Sequence, residues 1–107
     1  MLEKRSFYIN GSWVDPKEQK DIEVINPATE KVCAVISSGS KADVNDAVLA
    51  AKEAFKTWGY STKEERIALL ETFYTLYKKR WNDITDAIIQ EMGATKDFES
   101  KIQTGTG

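Results

Sequence analysis

The sequence predicts two short β-hairpins followed by three or four helices. Three observations predict it. Asn10-Gly11 sits inside a run rich in aromatic and β-branched residues. Asn26-Pro27 sits between two β-prone runs, Ile22 to Ile25 and Val32 to Ile36. From Ser40 onward, apolar residues recur at steps of three and four, the period of a helix rather than a strand.

The elements follow in order. Phe7 to Val14 reads as the first hairpin, because Asn-Gly accepts the positive φ that a type I′ turn needs at both central positions. Asp15-Pro16 ends it, and Lys17 to Asp21 is a polar loop. In the second hairpin, proline fixes φ at Pro27 and drives Asn26 out of the helical region. Val32 to Ile36 is almost wholly apolar, as expected of a strand covered on both faces. Ser40 with Asp43 forms a capping box with aspartate in the place of glutamate. Val44, Ala47, Val48, Ala51, Phe55 and Trp58 mark the first helix, and Gly59 closes it. Ser61 and Glu64 suggest a second capping box. Ile67, Leu70, Tyr74, Tyr77, Trp81, Ile84 and Ile88 then form a stripe expected to be a core face. Asn82 and Asp83 are able to cap a following helix, so two helices, or one with a kink, meet near Arg80 to Asn82. Gly93 ends that helix, and a last polar helix begins near Thr95 or Lys96 and runs toward Gln103.

Composition narrows the function. Of 107 residues 41% are hydrophobic and 30% charged, the balance of a soluble globular protein. The net charge of -2 gives no electrostatic footprint for nucleic acid or an anionic membrane. No apolar run is long enough to span a bilayer, and the charged start Met1 to Arg5 does not read as a secretory signal. A single cysteine, Cys33, excludes an internal disulfide and fits a reducing compartment such as the cytoplasm. With no histidine, a Ser-His-Asp triad, a Cys-His pair and a His-based zinc site are all impossible within the chain.

The remaining candidates have ordinary readings. Cys33 lies in an apolar run without a base, the setting of a buried structural thiol rather than a nucleophile. Gly39, Gly59, Gly105 and Gly107 lack the strand-glycines-helix order of a phosphate loop. The stripe from Ile67 to Ile88 spans about three heptads, the lower limit for a coiled coil. Three of its seven positions are aromatic, which suits a globular core better. Lys78-Lys79-Arg80 is basic where a helix end prefers cations. Glu91, at the edge of the apolar stripe, is either turned to solvent or held by a partner.

The phrases Tyr8-Ile9-Asn10-Gly11-Ser12-Trp13-Val14, Val24-Ile25-Asn26-Pro27-Ala28-Thr29, Ala42 to Val48 with Ala51 to Phe55 and Trp58, Glu65-Arg66 with Ile67 and Leu70, and Glu91-Met92-Gly93 occur in that order. Together they resemble the N-terminal segment of the aldehyde dehydrogenase superfamily, from residue 7 to about residue 105. The resemblance implies an α/β, Rossmann-type parent enzyme several times longer. Residues 1–107 would be the N-terminal part of its cofactor-binding domain, with the catalytic and oligomerisation domains outside this chain. The implied reaction oxidises an aldehyde to an acid through a cysteine thiohemiacetal and hydride transfer to NAD or NADP. The family's catalytic cysteine, general-base glutamate, oxyanion asparagine and cofactor loops match no residue here, so no catalytic or cofactor residue is assigned. The implied partners are the remainder of the polypeptide, a small aldehyde, and further copies in a dimer or tetramer. Some members also bind a monovalent cation, K or Na, through positions that correspond to the carbonyls of Val24 and Ile25 and the side chain of Glu91. That would bring the Val24–Thr29 turn to the end of the helix that closes at Gly93. The rival reading is a stand-alone helical interaction module without enzyme activity.

Overall fold

The computed structural model describes residues 1–106. Five strands precede four helices. They are β1 (Leu2–Lys4), β2 (Phe7–Ile9), β3 (Ser12–Val14), β4 (Asp21–Asn26) and β5 (Lys31–Ser37), then α1 (Lys41–Trp58), α2 (Lys63–Lys79), α3 (Trp81–Met92) and α4 (Glu99–Thr106). Both expected hairpins form. In β2–β3, Asn10 and Gly11 take φ of 54° and 77°, and Tyr8 faces Trp13 across the strands with ring centroids 5.2 Å apart.

β1 departs from the sequence expectation, which placed nothing there. Leu2, Glu3 and Lys4 pair in parallel with Ala34, Val35 and Ile36, so β5 becomes the centre of a sheet ordered β1-β5-β4. Two charged residues in three hide the strand locally, and the pairing spans about thirty residues of chain. Arg5 fastens its end. Its guanidinium donates to both oxygens of Asp21 at 3.1 and 3.0 Å, and it also meets Glu3. That contact holds the Asp21 carboxyl below its ordinary range.

The chain divides into two compact units: Met1–Val24 with Ala34–Thr62, and Ile25–Cys33 with the residues from Lys63 onward. In the first, the only buried apolar side chains among the described residues are Ala34 (8% exposed) and Val35 (5%), both on β5. Ile36 is exposed, so the strand is less fully covered than its composition suggested. α1 starts at the predicted capping box: Ser40 Oγ accepts from the Asp43 amide, and Asp43 accepts from the Ser40 amide. Gly59 caps the other end in the right-handed region, its N–H bonded to the Phe55 carbonyl.

In the second unit, α2 and α3 break at Arg80, as the sequence predicts. The cap differs from the expectation. Arg80 itself is the residue before α3, without a side-chain cap bond, and its Nε reaches Asp83 at 3.3 Å. α4 starts at Glu99, later than expected, and extends to Thr106. The larger correction concerns the stripe. α2 buries no residue at all, and Leu70 and Phe73 are 65% and 63% exposed. What is buried in this unit is polar: Thr85, Ser100 and Thr104.

Candidate functional site

The Asn26–Glu30 turn is built from its own side chain outward. Asn26 Oδ1 accepts from the Ala28 amide at 2.9 Å, and the Asn26 carbonyl accepts from Glu30 N–H at 2.8 Å. Glu30 completes the turn in the left-handed region, φ 57°. The turn meets the end of α3, as the resemblance implied. Gly93 closes that helix with φ 65° and donates its N–H to the Ile89 carbonyl. A Cβ at Gly93 would lie 2.9 Å from Pro27 Cγ. Glycine is therefore required twice, by the backbone conformation and by the proline ring.

Ile25 and Glu91 lie in the same compact unit, and Val24 immediately precedes Ile25 on β4. Glu91 is exposed, the default that its spacing predicts. It lines a groove between α2 and α3 together with Phe73, Tyr77, Ile84 and Ile88. Among the described residues, no group of three His, Cys, Asp or Glu side chains is placed to hold a metal ion. A cation here would rest on backbone carbonyls and one carboxylate, a donor set suited to a hard ion.

Cys33 is half-buried rather than buried, with Sγ 4.0 Å from the Gln90 carbonyl oxygen. Two of the candidate glycines face side chains, not a phosphate-sized cradle. A Cβ at Gly59 would strike the Phe55 ring at 3.0 Å, and one at Gly105 would meet Trp81 at 3.2 Å. Gly107 lies outside the described residues. The basic run ends α2 as expected, with Lys78 Nζ 4.5 Å from the centre of the Tyr74 ring.

Sequence reasoning missed the second task of Asp43. The residue is 4% exposed, and its carboxylate also accepts from the Lys17 amide at 3.0 Å, pinning the polar loop to the start of α1. The Lys17 amide, then the hydroxyl and amide of Ser40, hold the Asp43 carboxyl below its ordinary range. A partner 26 residues away leaves no local signal.

The sequence profile of the aldehyde dehydrogenase family matches residues 13–105. This chain belongs to the aldehyde dehydrogenase family. A 3-succinoylsemialdehyde-pyridine dehydrogenase of a Pseudomonas species is 45% identical over 94 residues, covering 88% of this chain and 20% of that protein. A putative aldehyde dehydrogenase of Staphylococcus aureus is 41% identical over 100 residues, covering 94% of this chain and 21% of that protein. Among solved structures, an aldehyde dehydrogenase from Bartonella henselae superposes with a TM-score of 0.96 at 47% identity, over 99% of this chain and 22% of its own. An aldehyde dehydrogenase C variant from Pseudomonas syringae, complexed with NAD+ and octanal, superposes at 0.87 with 39% identity, over 91% of this chain and 20% of its own. The chain thus spans about a fifth of the length of the curated relatives it matches. Its short strands and four helices are those of the N-terminal part of the aldehyde dehydrogenase fold.

Proposed function

We propose that this chain is the N-terminal scaffold of the cofactor-binding domain of an NAD(P)-dependent aldehyde dehydrogenase. In the whole polypeptide, the nicotinamide cofactor would accept the hydride from an aldehyde held as a cysteine thiohemiacetal, and water would release the acid. The residues here perform none of those steps. Gly59 and Gly105 face aromatic rings rather than a pyrophosphate, and the chain has no histidine. Their task is structural: β5 centres a small sheet, and the helices present apolar faces to the remainder of the polypeptide. The observation that carries this reading is α2, a seventeen-residue helix with no buried side chain in a chain whose relatives are about five times longer. Assembly into a dimer or tetramer, and a cytoplasmic location, belong to the same proposal. Among the described residues, no helix is long and apolar enough to cross a membrane.

The test is turnover. The 107-residue chain, given NAD or NADP and a panel of aldehydes, forms no reduced cofactor. The whole-length polypeptide that carries this segment does. Reduced cofactor formed by the chain alone overturns the scaffold role. A whole-length polypeptide inactive with every aldehyde and both cofactors overturns the activity.

We also propose a monovalent cation on the turn, held by the Ile25 carbonyl, the Val24 carbonyl just before it, and the Glu91 carboxylate. Potassium or sodium in place of choline should raise the melting temperature of the whole-length polypeptide, and Glu91→Gln should remove that rise. An equal response in the variant rejects the site.

A further inference from the structure

We propose that Gly105 selects the register in which α4 lies on α3, and that a second register one helical turn away is encoded in the same face. Ser100 and Thr104 are four residues apart on α4 and both are buried, at 0% and 1% exposure. Only Thr104 is engaged by its hydroxyl. Its Oγ1 lies 2.8 Å from Thr85 Oγ1 and 2.8 Å from the Ser100 carbonyl, while Thr85 Oγ1 reaches the Trp81 carbonyl at 2.9 Å. Two hydroxyl protons serve those three contacts, so one helix carbonyl forgoes its hydroxyl bond whenever the threonines bond each other. Ser100 Oγ is buried and has no hydrogen-bond partner. Its proton is unspent in a seam that is one proton short.

Sliding α4 by one turn, about 6 Å along its axis, would put Ser100 where Thr104 stands. Ser100 would then meet Thr85 and its orphaned hydroxyl would be satisfied. The same slide would put Lys101 where Gly105 stands. At that place a Cβ lies 3.2 Å from Cη2 and 3.7 Å from Cζ2 of Trp81. The rest of a lysine side chain must go further into that ring or swing away from it. Hydroxyls alone do not discriminate between the registers. The glycine under the indole does, and Trp81 is the gauge that reads it. Trp81 is itself fixed by an edge-on contact with Tyr77, ring centroids 6.1 Å apart. The Tyr77 hydroxyl donates to the Thr104 carbonyl at 2.8 Å, which adds a second marker of the observed register.

Disulfide trapping reads the register directly. In the full chain with Cys33→Ser, the pair Thr85→Cys with Thr104→Cys should oxidise about tenfold faster than the pair Thr85→Cys with Ser100→Cys, because only the former places its sulfurs within bonding reach. Exchanging the gauge residues, Lys101→Gly with Gly105→Leu, should reverse that order. Trp81→Phe, which removes the indole atoms nearest Gly105, should narrow the ratio several-fold without the exchange. The proposal is overturned by equal rates with Gly105 and Trp81 intact. It is also overturned by an unchanged ratio in Trp81→Phe, a variant that keeps an aromatic side chain and does not depend on the double exchange folding.

Discussion

Pro27 and Gly93 meet where the Asn26–Glu30 turn reaches the end of α3, and the space between them admits no side chain. A Cβ on Gly93 would stand 2.9 Å from Pro27 Cγ, with the backbone at φ 65°. Gly93→Ala therefore meets two penalties: about 1–2 kcal/mol for the left-handed conformation, and the collision with the ring. Amide exchange of residue 93, whose N–H bonds the Ile89 carbonyl, should quicken by about tenfold or more. Adding Pro27→Ala should recover the collision part but not the conformational part. A double variant no slower than Gly93→Ala in exchange would show that the ring contact carries no weight.

Asp43 gives a pH dependence with a definite sign. Its folded carboxyl titrates below the ordinary 3.8, chiefly because the Lys17 amide donates to it, with Ser40 next. A depressed carboxyl contributes stability above the unfolded value and loses it as pH falls through the folded one. After correction for intrinsic rates, exchange at the Lys17 and Ser40 amides should be flat from neutral pH to about 4 and rise below it. Asp43→Asn should remove that step. A rise that begins near pH 6 would point to another group.

Tyr77→Phe deletes one buried-end hydrogen bond, that from the phenol to the Thr104 carbonyl at 2.8 Å. The expected cost is about 1 kcal/mol, concentrated in α4. Exchange should quicken in α4 and stay unchanged in α1. A uniform change across the chain would contradict the local role.

Much of the fold is legible because its signals are local. Asn10-Gly11 fixes one hairpin, Ser40 with Asp43 starts α1, and Gly93 stops α3, each through backbone chemistry within four residues. β1 is not legible, since Leu2-Glu3-Lys4 becomes a strand only when β5 is beside it. The Asp43–Lys17 tether and the Thr85–Thr104 contact fail for the same reason, because their partners lie 26 and 19 residues away. The stripe on α2 is a different case. Its period correctly marks a helix with one apolar face, but period alone does not say what covers that face. Of the proposed cation set, Glu91 stands out in the sequence only as an acidic residue at the edge of that stripe, and two backbone carbonyls carry no side-chain signature.

That face yields a prediction of its own. Leu70→Lys or Phe73→Lys should leave the helicity of the 107-residue chain nearly unchanged, because both side chains are already exposed. The same change in the whole-length polypeptide should lower soluble yield and melting temperature sharply, since it forfeits about 1.5–3 kcal/mol of apolar burial and adds the cost of a buried charge. Equal tolerance in both settings would mean that α2 faces solvent in the whole-length polypeptide too.

The most direct measurement is sedimentation of the 107-residue chain across a range of concentrations. A scaffold segment with uncovered helix faces should associate, its mean mass climbing above 12.1 kDa as concentration rises, and Leu70→Lys with Phe73→Lys should bring it back toward the monomer. A single 12.1 kDa species at every concentration, melting cooperatively and binding no hydrophobic dye, would contradict the account and favour a self-sufficient helical module.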